Sequence, residues 1–184
     1  MATKHDLLST LRSVQAGSIS PEEALLQMKL APFEDLGYAK VDYHRAVRQG
    51  ASEVIYGQSK TPEHIAGILE AMQRRDSSNI LVTRIEQKTA DWLAERFPLR
   101  YEPLAKLAVV LPRPTEQRGA IAVITGGTSD IGVAEEAAIT AETLGNRVTR
   151  LYDVGVAGLH RLLSQLEPLM KARVVVAVAG MEGA

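Results

Sequence analysis

Ala120-Ile-Ala-Val-Ile-Thr125, followed at once by Gly126-Gly127-Thr128-Ser129-Asp130-Ile131-Gly132, decides how this chain is read. A short, apolar, β-branched run reads as a buried strand, and the glycine-rich turn after it reads as the entry to a helix. That helix is expected from about Ile131 to Leu144, closed by Gly145. A second strand over 147–152 and a second helix over about 156–171 follow. Residues 172–179, ARVVVAVA, read as a third strand, apolar nearly throughout as expected of one covered on both faces. Strand–helix–strand–helix–strand with short connections implies right-handed parallel crossovers. The loops at the strands' carboxyl ends then share one rim, and the first offers backbone N–H groups and a helix N-terminus to an anion.

Upstream the pattern changes. Pro112-Arg-Pro-Thr-Glu-Gln-Arg-Gly119 is polar, holds two prolines and lacks apolar periodicity, so it reads as a linker. The chain therefore divides into an N-terminal helical-α/β domain over 1–112 and a second, parallel α/β domain over 119–184. Leu7, Leu8, Leu11 and Val14 share a helical face that Gly17 ends. Ser20-Pro21-Glu22-Glu23 restarts the helix with a capping box, and Ala24, Leu25, Met28 and Leu30 continue it. Three short alternations follow: strand 53–56 and helix 62–74, strand 80–83 and helix 87–96, then strand 107–111. This is a small α/β domain whose sheet order the sequence does not give. The second domain has three strands where a doubly wound sheet usually has about five. Its third strand would be left as a flat apolar edge, so the sequence is read as a fragment lacking its C-terminal part, with cover by another chain as the alternative.

Composition bounds the function. Among 184 residues, 46% are hydrophobic and 23% charged, ordinary for a globular protein. Lys plus Arg total 21 against 22 Asp plus Glu, a net charge of -1 that excludes nucleic-acid binding through bulk positive charge. No apolar run approaches the roughly 20 residues of a membrane span, and Met1-Ala-Thr-Lys-His-Asp6 lacks the apolar core of a secretory signal. No cysteine is present, which excludes disulfides, zinc–thiolate sites and a cysteine nucleophile within these residues, and fits a reducing cytoplasm.

The candidate site lies on the loops. Gly126 and Gly127 let the backbone approach a ligand, Thr128 and Ser129 add hydroxyls, and Asp130 can accept from a sugar hydroxyl. The competing reading is a plain helix cap closed by Ser129 or Asp130. Asp153 and, seven and eight residues on, His160 and Arg161 follow the second strand. Arg161 suits a phosphate and His160 a proton shuttle, against an ordinary polar helix face. Gly180, Met181, Glu182 and Gly183 follow the third strand. Glu135-Glu136 point about 100° apart and read as solvated first-turn charges. Asp42-Tyr-His44-Arg45 with Arg48-Gln-Gly50 reads as an exposed helical face rather than a nucleotide grip. Trp92, Leu93 and Phe97 read as core, and no spacing forms a metal motif.

The loop approaches the Thr-Gly-x-x-x-Gly-x-Gly pattern of short-chain dehydrogenases, but Asp130 stands at the middle glycine and the only Tyr-x-x-x-Lys pair, Tyr56 and Lys60, lies upstream. A closer resemblance is to the LarB family of nickel-pincer cofactor biosynthesis. It is carried by Gly127-Thr-Ser-Asp130, Val133-Ala-Glu-Glu-Ala137, Leu151-Tyr-Asp-Val-Gly-Val-Ala-Gly-Leu-His-Arg-Leu162 and Val178-Ala-Gly-Met-Glu-Gly-Ala184. Upstream, Asp35-Leu-Gly-Tyr-Ala-Lys-Val-Asp-Tyr-His-Arg45, Glu53-Val-Ile-Tyr-Gly57, Lys60-Thr-Pro62 and Thr83-Arg84 are similar too. The resemblance implies a second domain similar to PurE, the aminoimidazole ribonucleotide carboxylase, with an incomplete flavodoxin-like, three-layer parallel fold and an octameric homo-oligomer. It implies carboxylation of the pyridinium ring of nicotinic acid adenine dinucleotide by CO2 or bicarbonate, then phosphoanhydride cleavage to release AMP; Mg²⁺ is left open. Ser129, Asp130, His160 and Arg161 fall on nucleotide-site positions, Gly180–Ala184 on the third loop, and Asp130 and Glu182 are the candidate catalytic residues. Family members add a cysteine to the pyridinium ring, beyond the Gly-Met-Glu-Gly-Ala motif, whereas this chain has none. The alternatives are aminoimidazole ribonucleotide carboxylation and a non-catalytic nucleotide-binding or assembly module.

Overall fold

A computed structural model describes residues 4–30, 33–42, 53–180 and 183. The chain opens with helices α1 (Lys4–Gln15) and α2 (Pro21–Leu30). The capping box at the start of α2 forms as expected: the Glu23 N–H donates to Ser20 Oγ at 3.0 Å and the Ser20 N–H to Glu23 Oε2 at 2.9 Å. On the apolar face expected for α1, Leu8 and Leu11 are exposed and Val14 is half-buried. A hairpin the sequence did not suggest follows, β1 (Phe33–Asp35) against β2 (Lys40–Asp42). Asp35 turns it by accepting the Gly37 N–H at 2.8 Å, with Gly37 at φ +83°.

The first main sheet has the order β3-β4-β6-β5, made by β3 (Ile55–Tyr56), β4 (Ile80–Thr83), β5 (Leu99–Glu102) and β6 (Leu107–Val110). β3 and β4 are parallel, and the other pairings are antiparallel. β5 escapes the sequence reading because it is a four-residue, half-polar edge strand lying between Pro98 and Pro103. Helices α3 (Pro62–Gln73), capped by Thr61 as expected, and α4 (Gln87–Ala94) cover one face. Every position of β4 and β6 is buried, and alternation divides the residues between two clusters. Ile80, Val82, Ala108 and Val110 pack with Ile65, Leu69 and Leu93; Leu81, Leu107 and Val109 face the other way.

The second sheet is wholly parallel, β7 (Arg118–Thr125) lying between β8 (Asn146–Leu151) and β9 (Val174–Val178). The α/β class and parallel crossovers read from the sequence are observed. Helix α5 (Ile131–Thr143) serves both sheets: Ala134 and Ala138 pack on Val123 of β7, while Ile139 joins Leu81, Leu107 and Val109 of the first sheet. The segment between the sheets is tied down as well. The Arg113 N–H donates to Asn79 Oδ1 at 2.8 Å, and Asn79 Nδ2 donates to Thr115 Oγ1 at 3.0 Å.

Two expectations are corrected. The single helix expected over about 156–171 is a short 3-10 turn followed by α6 (Leu159–Ser164) and α7 (Leu166–Lys171), broken at Gln165. Pro168 has no N–H to give the Ser164 carbonyl, and its ring would clash there, so a continuous helix fails one turn before it. The third strand is not covered on both faces. Val174 and Val175, which point to opposite faces, are exposed by 53% and 47%, and among the described residues β9 pairs with β7 alone. Only Val176 and Val178 pack against the α5 cluster.

Candidate functional site at the carboxyl rim of the parallel sheet

Three strand ends meet at one rim because β7 is central. Gly126, just past β7, donates its N–H to the carbonyl of Val178 at the end of β9, at 3.0 Å. On the other side the N–H groups of Val154 and Gly155 donate to the carbonyls of Thr125 and Gly126, both at 3.0 Å. Thr125, 1% exposed, accepts the Asp153 N–H on its hydroxyl at 2.8 Å. The loops after β7 and β8 are thus knitted by backbone, and an ideal Cβ on Gly155 would lie 2.4 Å from the Gly126 oxygen.

Within the first loop, Thr128-Ser129-Asp130 form a 3-10 turn. Asp130 stands at the N-cap of α5 but gives the helix no side-chain cap bond; instead its Oδ2 reaches back to accept the Gly127 N–H at 3.0 Å, which closes the loop turn and occupies one of its oxygens. Thr128 and Ser129 are exposed at the rim. In the second loop Arg161 Nη1 donates to Asp153 Oδ2, and Asp153 adopts φ +57°. Gly158 makes room for that guanidinium: a Cβ there would lie 2.5 Å from Arg161 Nε. His160 is exposed, and with Arg150, Tyr152, Asp153, Arg161 and Ser164 it lines a cavity of about 480 Å³. That cavity belongs to the second loop; the first loop adjoins it through the Gly126–Gly155 contact rather than lining it. Gly180 follows β9 and is exposed, and Gly183 has φ +77°. Met181 and Glu182 lie outside the described residues, as do residues 43–50 of the upstream Tyr-His-Arg segment.

Glu135 corrects a further expectation, because it is not a solvated charge. Its side chain is 18% exposed and accepts from Arg150 Nε at 3.1 Å and from the Tyr152 hydroxyl at 2.6 Å. Arg150 also spans to Glu142, at 2.5 Å and 3.1 Å. Burial, reinforced by the hydrogen bond to Glu135, pushes the Tyr152 phenol above its usual pKa. The hydrogen bonds to Glu142, and then to Glu135, hold Arg150 firmly protonated. The signal was legible: Glu135 and Glu142 sit seven apart on one face of α5, and Tyr152, just past the end of β8, follows Arg150 by two residues. Only their facing one another is a tertiary fact. Glu136 turns toward the first sheet, 3.8 Å from Arg84 Nε. Among the described residues no group of three or more His, Asp or Glu is disposed to hold a metal ion, and no helix is long and apolar enough to cross a membrane.

The family described as LarB/PurE-like N-terminal domain matches residues 33–112. The uncharacterized protein MJ0165 of Methanocaldococcus jannaschii is 35% identical over 191 residues, an alignment covering 97% of this chain and 74% of that protein.

Proposed function

This chain belongs to the LarB/PurE-like family, and on that premise we propose that it serves nickel-pincer cofactor biosynthesis, seating the pyridinium mononucleotide half of nicotinic acid adenine dinucleotide for carboxylation. The family relationship supports a carboxylase-type enzyme. The observation that carries the reading is the meeting of the three strand ends through the hydrogen bonds of Gly126, Val154 and Gly155. Ligands of open α/β sheets bind at such a rim. The exposed hydroxyls of Thr128 and Ser129 would hold phosphate and ribose, with Gly126 and Gly127 letting the backbone come close. Asp153 engages one edge of the Arg161 guanidinium and fixes its plane, leaving the remaining N–H groups for a phosphate. Asp130 has a second oxygen free of the loop-turn bond for a sugar hydroxyl or for the proton lost when the ring carbon bonds CO2. His160, Gly180, Met181 and Gly183 complete the proposed contacts, and Glu182 is proposed to act near the ring or the CO2.

The ring chemistry wants a thiolate, which adds to the electron-poor pyridinium, lets a ring carbon attack CO2, and leaves again. No cysteine occurs among the 184 residues, so turnover is proposed for protein that supplies one, and binding for this chain by itself. That absence also favours a second reading, a nucleotide-binding module without turnover. A cytoplasmic homo-octamer is part of the proposal.

The test has two arms. Titration calorimetry of this chain with nicotinic acid mononucleotide should show binding that Arg161→Ala weakens about tenfold, the worth of a charge-assisted hydrogen bond. Protein supplying the cysteine, given the dinucleotide, bicarbonate and Mg²⁺, should yield AMP and a dicarboxylated mononucleotide by mass spectrometry. Absence of both products overturns the carboxylase reading, and absence of binding overturns the site.

A further inference from the structure

The first sheet has a strand rim of its own that the chemistry above leaves unused. β3 and β4 are parallel, and their carboxyl ends carry Tyr56-Gly57 and Thr83-Arg84. Gly57 is locked onto the end of β4: its N–H donates to the Thr83 carbonyl at 2.8 Å, and a Cβ there would lie 2.7 Å from that oxygen and 2.4 Å from Ile85 Cγ2. Arg84 adopts φ +57°, a left-handed backbone that a long side chain rarely takes. Strain of this kind persists where the surroundings impose it, and it clusters at ligand sites. The Arg84 guanidinium stands 6.0 Å from the centroid of the Tyr56 ring, and Tyr56 is 51% exposed. Lys60 curls over the same turn, its Nζ donating to the Tyr56 carbonyl at 2.8 Å. The one acidic group facing Arg84 among the described residues, Glu136, stands 3.8 Å away, beyond hydrogen-bond length, and the Arg84 side chain is 52% exposed.

A guanidinium beside an open aromatic face, with a second cation held at the backbone carbonyl of the same tyrosine, is suited to a phosphate joined to a planar base. The rim also lies at the right end of the molecule. Leu104, just before β6, abuts Gly132 at the start of α5, whereas Val109 and Arg113 lie beside Glu142 and Thr143 near its end. β6 therefore runs alongside α5, and β4, antiparallel to β6, brings Arg84 back to the helix start. That start is also where the loop after β7 lies. Both parallel rims thus open toward the same end, with the first turns of α5 between them.

We propose that the carboxyl rim of β3 and β4, with Tyr56, Lys60 and Arg84, is a second nucleotide subsite that takes the adenylate half of a dinucleotide whose pyridinium half sits on the loops after β7 and β8. The inference rests on the proposed function for the identity of the second half, and its test separates the two. AMP, nicotinic acid mononucleotide and the intact dinucleotide are titrated calorimetrically into the wild-type chain and into Arg84→Gly and Tyr56→Ala. Arg84→Gly removes the charge and relieves the left-handed backbone, so the variant folds, as circular dichroism would verify. The expected result is a loss of about tenfold or more for AMP and the dinucleotide with both variants, while mononucleotide binding stays within about twofold. Tyr56→Phe, which keeps the ring, should restore AMP binding. Equal weakening of all three ligands, or AMP displacing the mononucleotide from a single site, overturns the subsite and leaves the function standing. Wild-type protein that binds the mononucleotide but not AMP does the same. Wild-type protein that binds none of the three overturns both.

Discussion

Replacing Arg150 with alanine should lower stability by about 2–3 kcal/mol and the thermal midpoint by about 5–10 °C. The guanidinium bridges α5 and β8 by holding Glu135 and Glu142 together, and both carboxylates are largely shielded, at 18% and 26% exposure. Without Arg150 two like charges face each other with little water, and removing one partner of a shielded pair costs more than the pair itself contributes. The helix that would be loosened is the one packed on both sheets, so the loss should register in the global transition. Arg118→Ala removes an equally short ion pair with Glu116, but one 78% and 75% exposed, and should cost no more than about 0.5 kcal/mol. Equal thermal shifts for the two variants would show that the Arg150 cluster is only surface decoration.

The same cluster sets a pH dependence through Tyr152. Its phenol is raised above the ordinary tyrosine value by burial and by the bond to Glu135. The folded state therefore keeps a proton that the unfolded chain surrenders near pH 10. The contribution is fully present below that pH and is lost as pH climbs toward the folded pKa. Urea midpoints measured from pH 8 to 11 should fall more steeply for wild type than for Tyr152→Phe, and only above about pH 10. Parallel curves would rule the linkage out.

What the chain disclosed in advance was whatever depends on local period and turn chemistry. The Ser20 capping box, the Thr61-Pro62 helix start and the strand-to-helix turn at Gly126–Asp130 each announce themselves within a few residues. The gathering of the loops followed from parallel topology. Features needing two distant segments stayed hidden. Ile139 looks like any apolar position of an amphipathic helix, and nothing local says that it closes the far face of the first sheet. Glu135 and Glu136 are adjacent and alike, yet one is shielded against β8 and the other turns toward Arg84. Arg84 and Tyr56 lie 28 residues apart, and only strand pairing brings them together. The break at Gln165 was legible from Pro168, but the apolar periodicity on either side masked it.

Gly155→Ala should be the most damaging single methyl in the site. Gly155 has φ −60° and ψ 150°, a conformation open to any residue, so conformational freedom is not what glycine supplies here. Proximity is. An alanine Cβ would stand 2.4 Å from the Gly126 oxygen, 3.1 Å from its carbonyl carbon and 3.3 Å from its Cα, all backbone atoms with no rotamer to yield. One loop must move away, and the Gly155 N–H to Gly126 bond at 3.0 Å goes with it. Overpacking plus a lost buried hydrogen bond amounts to about 2–4 kcal/mol. Because Gly126 also carries the bond to Val178, the displacement should reach the end of β9 as well. Mononucleotide affinity should fall by more than the Arg161→Ala loss, since both loops are misplaced rather than one contact removed. Gly180→Ala is the matched control on the same rim: a Cβ there meets nothing within 4 Å, so stability should change by no more than about 0.5 kcal/mol. If Gly155→Ala melts like Gly180→Ala and binds the mononucleotide like wild type, the two loops are not held in contact, and the rim does not form the site argued for it.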